Sequence, residues 1–181
     1  MSDGPQMHRL FFALWPDDGL RHSIDEEAAR IEGELSPGGR RLHAARLHMT
    51  LQFLGDFASL PAALLDGACA AAAQIRVSSF ALELDGAGSF RGSNVWWLGP
   101  TATPAGLQEL WESLGIALRQ HDVPLRPAPA FSPHVSTQRN VPRHLPATPI
   151  APLSWPVHDF VLVDSQSGQP YRIIERWPLQ W

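Results

Sequence analysis

Two histidines, each followed two positions later by a small hydroxyl residue, are the parts of this 181-residue chain best suited to chemistry. The first stands in Leu47-His48-Met49-Thr50-Leu51-Gln52-Phe53-Leu54-Gly55. The second, about half the chain later, stands in Phe131-Ser132-Pro133-His134-Val135-Ser136-Thr137-Gln138-Arg139. Unperturbed histidine titrates at about 6.5, so one imidazole can take a proton from an attacking water while another gives one to a leaving oxygen. Each such transfer by a positioned group contributes roughly 10²–10⁴ in rate. A hydroxyl beside each imidazole can donate hydrogen bonds to the non-bridging oxygens of a phosphate, where negative charge accumulates. Two such pairs across one cleft make a phosphate site that needs no metal ion.

The elements that must position these groups follow from the surrounding pattern. Apolar and β-branched residues around each motif predict a strand, and the period of two puts His48 with Thr50, and His134 with Ser136, on one face. A single His-x-Thr is a weak signal, because a half-buried strand can satisfy a histidine with a backbone carbonyl; its recurrence gives it weight. An opening strand is predicted over Arg9–Pro16. A helix follows after the turn and cap at Pro16-Asp17-Asp18, with Leu20, Ile24, Ala28, Ile31 and Leu35 inward and Arg21, Asp25, Glu26, Arg30 and Glu32 elsewhere. The loop Ser36-Pro37-Gly38-Gly39 ends it. Arg40, Arg41 and Arg46 then lead to the first motif, where they would attract an anion or simply form a solvated approach.

Ser59 and Pro61 read as cap and first turn of a second helix reaching about Ile75. Phe80, Leu82 and Leu84 alternate as a strand, Gly86 and Gly88 mark a turn or bulge, and Gly92-Ser93-Asn94 turns into a strand from Val95 to Leu98. Trp96 and Trp97 point to opposite faces, so one of them, Trp97, is available to stack on a base, as are Phe53 and Phe131. A third helix after Thr103-Pro104 buries Leu107, Leu110, Trp111, Leu114 and Leu118. Val123–Ala130, with its prolines, is an extended connection in which Arg126 is a surface charge. Asn140–Pro156 reads as a proline-rich loop bordering the cleft. The near-continuous apolar strands at 160–164 and 171–177 belong at the centre of a sheet. Strands and helices alternate irregularly and include hairpins, which predicts an α+β fold.

Composition narrows the partners. A net charge of −4 argues against a protein that coats long nucleic acid, but leaves room for a substrate with one phosphate and one or two nucleotides. The lone Cys69, in an alanine-rich helix, can form no internal disulfide. No stretch is long and apolar enough to span a membrane, residues 1–7 are expected to fray without a secretory pattern, and a cytoplasmic location is the expectation. His144 and His158 read as exposed. A two-histidine metal hydrolase is disfavoured because no His-Glu-x-x-His or comparable spacing occurs.

The phrase LHMTLQFLG and the later PHVS resemble the paired HxTx signature of the 2H phosphoesterase superfamily, and within it the RNA 2′,3′-cyclic phosphodiesterases, also called 2′-5′ RNA ligases. The opening RLFFALWP, the glycine-bounded hairpin from Leu84 to Gly99 and the closing strands around Val163-Asp164-Ser165 and Tyr171–Leu179 are similar to segments of that family. The resemblance implies one bilobal domain over 1–181, with two pseudo-symmetric lobes of antiparallel sheet backed by helices and a site in the groove between them. It also implies hydrolysis of a 2′,3′-cyclic phosphate on an RNA end or nucleotide to a 2′-phosphate, with no cofactor, no metal and no obligate protein partner. His48 would then be the acid and His134 the base, an order the sequence alone does not fix. Thr50, Ser136 and Arg139 would hold the phosphate. Ser136 departs from the family's usual threonine, which keeps the hydroxyl on a less restrained rotamer. Arg139 has the wrong strand parity unless a bulge intervenes. Weak 2′-5′ ligation would be the reverse reaction. A sister activity on ADP-ribose cyclic phosphate, and a non-catalytic module using both motifs as a phosphate clamp, remain alternatives.

Overall fold

The computed structural model describes residues 6–127 and 130–181. In chain order its elements are β1 (His8–Leu14), α1 (Asp18–Leu35), β2 (Arg40–Arg41), a 3₁₀ turn (Ala44–Arg46), β3 (Met49–Phe57), α2 (Ala62–Ala73), β4 (Phe80–Ser89), β5 (Val95–Gly99), α3 (Ala105–Gln120), β6 (Val135–Arg139), β7 (Thr148–Val157), β8 (Asp159–Gln166) and β9 (Arg172–Pro178). The strands form one sheet in the order β7-β4-β5-β6-β3-β1-β8-β9, with β2 paired to β6. Every pairing between these strands is antiparallel. Two four-stranded halves, β7-β4-β5-β6 and β3-β1-β8-β9, meet at the β3–β6 junction, where Met49 pairs with Val135. The two histidine motifs are thus the innermost strands of the two halves, in an α+β fold.

The alternation of β1 and β8 explains why their sequences are apolar throughout. Leu10, Phe12 and Leu14, with Phe160 and Leu162, join the main core, which also takes Ile24 and Ile31 of α1 and Leu107, Leu110, Leu114 and Leu118 of α3. Phe11 and Ala13, with Val161 and Val163, form a smaller apolar cluster with Trp15, Phe53 and Tyr171 packed against it. Both faces of these strands are therefore covered. Burying each large apolar side chain contributes about 1.5–3 kcal/mol. The Phe12, Phe160 and Trp177 rings lie 5.6–6.1 Å apart and seal the main core beneath β9.

The helices lean on the sheet and on each other. Asp17 caps α1 by accepting from the Leu20 N–H at 2.8 Å, and Ser36 ends it in a left-handed conformation before Pro37. α1 rests on β6 and β7, α2 packs against α3 and β9, and α3 reaches β3 and β4.

Five expectations change. Pro61, not Ser59, occupies the α2 N-cap, and no side chain caps that helix. β4 runs on through Gly86 and Gly88 to Ser89, with a bulge against β7 between Leu84 and Gly86, because glycines admit the local twist without ending the strand. Residues 148–157, expected as loop, form β7, an edge strand in which Pro149, Pro152 and Pro156 are tolerated on the side without a partner. It borders α1 rather than the histidines. β9 is also an edge strand, mostly exposed apart from Trp177. Arg21, expected off the apolar stripe, is buried with it. Of the N-terminal stretch expected to fray, residues 1–5 lie outside the described residues, as do 128 and 129 of the connection before β6; Met7 is exposed.

One close approach can be tested. Gly38 and Gly39 both have positive φ, but a Cβ on Gly38 would meet open space, whereas one on Gly39 would stand 2.6 Å from the Arg139 carbonyl oxygen. Gly38→Ala should cost about 1–2 kcal/mol, the left-handed penalty for a residue with a Cβ. Gly39→Ala should cost clearly more, because it also drives β2 from β6. Urea unfolding measures both, and equal losses would show that the loop yields without disturbing the pairing.

Candidate active site

Each motif strand carries a bulge at the same place. Against β1, Thr50 pairs with Ala13 and Gln52 with Phe12, so Leu51 is the extra residue. Against β5, Ser136 pairs with Trp97 and Gln138 with Trp96, so Thr137 is the extra residue. Both fall three residues beyond the histidine. An extra residue flips the parity of all that follows. Thr50 and Phe53 therefore share a face, and so do Ser136 and Arg139. The glutamines four residues beyond each histidine turn the other way. Gln52 donates to the Trp111 carbonyl in α3 at 3.1 Å, and Gln138 donates to the Gly38 carbonyl at 2.9 Å. These bonds hold the two bulges in matching settings.

The junction between the halves brings the motifs together. Around the Met49–Val135 pair the antiparallel register sets His48 beside Ser136 and Thr50 beside His134. Each imidazole is fixed in the same way, through Nδ1 to the carbonyl two residues earlier: His48 to Arg46 and His134 to Ser132, both at 2.8 Å. A carbonyl oxygen can only accept, so Nδ1 carries the proton and the Nε2 lone pair is left free. His48 is also packed among rings, with Phe11 at 4.9 Å, Tyr171 edge-on at 5.3 Å and Trp15 at 5.8 Å. His134 has Phe90 edge-on at 4.9 Å.

Burial and nearby cations set the charge of these rings. Desolvation first, then the positive charges of Arg139 and Arg21 and the companion His134, pull His48 down to about 4, against the opposing pull of its bond to the Arg46 carbonyl. Desolvation and Arg139 also lower His134, opposed by its bond to the Ser132 carbonyl. Both rings are neutral in the free protein near pH 7. They line a groove of about 760 Å³ with Thr50, Ser136 and five arginines, Arg9, Arg40, Arg41, Arg46 and Arg139; among the described residues, no carboxylate lines it. Arg9 is answered from outside by Asp56 at 3.1 Å and Arg41 by Glu32 at 3.5 Å and Asp25 at 3.7 Å, which leaves Arg40, Arg46 and Arg139 without an ion pair among the described residues; Arg46 lies over Tyr171 while donating to the Gln169 carbonyl. An anion entering the groove would meet those three cations with no carboxylate beside them among the described residues of the lining.

The remaining candidates are scattered. Phe131 stacks on Trp111 at 5.1 Å, away from the groove. Trp97 packs on Phe90 at 5.4 Å, with its indole nitrogen buried and unpartnered. Phe53 does not line the groove but stands next to it, paired with Phe11 across β1. The sequence reading missed Phe11, Trp15, Tyr171 and Phe90, which pack around the imidazoles, and Arg21. Arg21 lies over Trp15 at 4.7 Å and donates to the Pro16 carbonyl at 2.9 Å and the Ala44 carbonyl at 3.1 Å. It thereby ties the start of α1 to the 3₁₀ turn whose Arg46 carbonyl holds His48. Its spacing to Ile24, Ala28 and Ile31 was the available signal, since all four fall on one helical stripe.

The chain has relatives over nearly its whole length. The model of the family described as the 2′-5′ RNA ligase superfamily matches residues 20–169. The RNA 2′,3′-cyclic phosphodiesterase of Escherichia coli strain K12 is 31% identical over 176 residues, which cover 94% of this chain and 96% of that protein. Among solved structures, that of E. coli LigT complexed with 3′-AMP has a TM-score of 0.82 at 28% identity, covering 97% of this chain and 99% of that one. TT0787 of Thermus thermophilus has a TM-score of 0.76 at 25% identity, covering 95% and 98%.

The electrostatics of the groove predict a titration. By ring ¹⁵N NMR, His48 should titrate at about 4 in the free protein and shift upward when inorganic phosphate is added, because an anion beside the ring favours the imidazolium. Arg139→Gln should raise both histidine midpoints in the free protein by removing a cation. A free His48 that titrates at its ordinary value would mean that water reaches the ring.

Proposed function

The chain belongs to the 2′-5′ RNA ligase superfamily, and from that membership we propose that it opens a 2′,3′-cyclic phosphate on an RNA end or nucleotide to leave a 2′-phosphate. The observation that carries this reading is the matched pair of imidazoles on adjoining strands, each clamped through Nδ1 so that Nε2 is free toward one basic groove. The E. coli relative is named for this reaction.

The proposed step uses only groups of this chain. The phosphate lies between the imidazoles with its non-bridging oxygens toward Thr50, Ser136 and Arg139. Neutral His134 takes a proton from water as the water oxygen bonds to phosphorus. The P–O3′ bond breaks, and protonated His48 gives its Nε2 proton to O3′. One proton enters the base and one leaves the acid, and exchange with solvent restores both. The hydroxyls and the Arg139 guanidinium stabilise the charge that builds on the equatorial oxygens. The bulges matter to this assignment, because without them Arg139 would face the opposite side of the sheet. Run backwards, with a ribose hydroxyl in place of the product water, the same groups would join ends through a 2′-5′ bond.

His48 faces an electrostatic conflict in the acid role, since the free groove holds it neutral. The negative phosphate resolves the conflict by favouring the imidazolium once substrate is bound. The proposed step is written without a metal ion, and among the described residues no cluster of three histidine, cysteine or carboxylate side chains is arranged to hold one.

His48→Ala and His134→Ala should each lower kcat on adenosine 2′,3′-cyclic phosphate by roughly 10²–10⁴ with an unchanged circular dichroism spectrum, and ³¹P NMR should identify a 2′-phosphate product. Near-native turnover by either variant would remove that residue from the mechanism. A phosphate clamp without catalysis would instead give a wild-type protein that binds the cyclic phosphate and never opens it. The pH profile should be a bell. kcat/KM rises as His134 loses its proton and falls as His48 loses its own, and because both groups titrate below their ordinary value in the free protein, the bell for kcat/KM should lie to the acid side of that for kcat. Turnover should be unaffected by a chelator, and a metal-dependent rate would overturn the mechanism.

A further inference from the structure

Outside the groove, one buried guanidinium group reaches both of the supports on which His48 rests. Arg21 is 7% exposed and does not line the groove; it lines a different cavity, of about 1060 Å³, together with Trp15, Ala44 and Ala45. Its Nη2 is buried without a partner, and burial works against its charge, opposed by Asp17 and Asp18. A buried donor with no acceptor destabilises a fold, and apolar side chains of similar volume often replace buried charges without loss. Stability alone is a poor reason for an arginine here.

Each of its bonds ends beside something that His48 touches. Nη1 donates at 3.1 Å to the Ala44 carbonyl, which also accepts the Leu47 N–H at 3.1 Å and so closes the 3₁₀ turn immediately before His48. The last residue of that turn, Arg46, supplies the carbonyl that accepts from His48 Nδ1 at 2.8 Å. Nε donates at 2.9 Å to the Pro16 carbonyl, next to Trp15, and the guanidinium lies over the Trp15 ring at 4.7 Å. Trp15 in turn stacks on His48 at 5.8 Å, with 20° between the planes. One planar fork thus fixes both the turn that holds the imidazole and a ring that the imidazole lies on. His134 is held more simply: its Nδ1 acceptor is the Ser132 carbonyl, and among the described residues no other side chain donates to that oxygen.

We propose that Arg21 is a positioning residue for the reaction, its fork fixing the direction in which His48 presents Nε2 to the phosphate. This role rests on the cyclic phosphodiesterase reading and deepens it by naming what aims the acid. A reacting group displaced by about 1 Å can lose about 10²-fold in rate. The neutral tautomer of His48 reports the same alignment without turnover, because the proton stays on Nδ1 only while the Arg46 carbonyl is held in front of it.

The test uses Arg21→Met, an unbranched side chain without donors, and Arg21→Lys, which keeps the charge without the fork. Near pH 7, ring ¹⁵N NMR should show wild-type His48 protonated on Nδ1 alone and, in both variants, a mixture of the two neutral forms, with His134 unchanged. On adenosine 2′,3′-cyclic phosphate, kcat per folded molecule should fall about 10²-fold in both, with KM little changed because Arg21 lies outside the groove. If His48 keeps its Nδ1 proton in both variants, or if Arg21→Lys behaves as wild type, the fork does not aim the ring. A mixed tautomer with wild-type kcat, or a loss confined to KM, would separate Arg21 from the proton transfer, and unfolding of both variants would make it structural; each of these results sinks the role. If the wild type opens no cyclic phosphate, the reading of the reaction fails instead, and the ¹⁵N comparison still decides whether Arg21 orients His48.

Discussion

The contact between β3 and β6 is narrow, a single register pair at Met49 and Val135, yet the site depends on it. Each half of the sheet is internally well paired, and the two are joined where their motif strands touch. Antiparallel pairing at that point decides which side chains are neighbours. With this register an imidazole lies beside a hydroxyl on the opposite strand. A slip of one residue would turn one motif to the other face and leave each histidine facing a core residue.

The groove illustrates a conflict that proteins keep at functional sites. Folding places two histidines and several arginines around one space with no carboxylate among the described residues that line it. Burial and those cations hold the imidazoles neutral, which leaves their Nε2 lone pairs available, while Arg21, Trp15 and the 3₁₀ turn fix the ring of His48 from behind. A bound anion relieves the repulsion and returns the histidines toward their charged form. In a chain of net charge −4, such a concentration of positive charge is local, and it suits a small anionic end better than a long duplex.

The two halves repeat more than the histidine and hydroxyl. The bulge three residues on, the glutamine four residues on and the side chain returned to the groove side five residues on all recur. The fifth position differs in chemistry, phenylalanine in one half and arginine in the other. The backbone is repeated while the side-chain chemistry on the two flanks differs.

Much of this was legible in the chain alone, because it rests on local periodicity. The three helices, the motif strands and the inward faces of β1 and α3 follow from the spacing of apolar residues, and the repeated motif itself pointed to His48, Thr50, His134 and Ser136. What escaped depends on partners distant in sequence. Proline-rich residues 148–157 become a strand because β4 offers them an edge, apolar β9 lies at the rim because nothing pairs beyond it, and Arg21 is buried because the turn before His48 supplies a carbonyl for it. The amino-acid order determined which groups could do the chemistry. Only the tertiary structure, through one strand register and two bulges set by neighbouring strands, decided which of them face the same space.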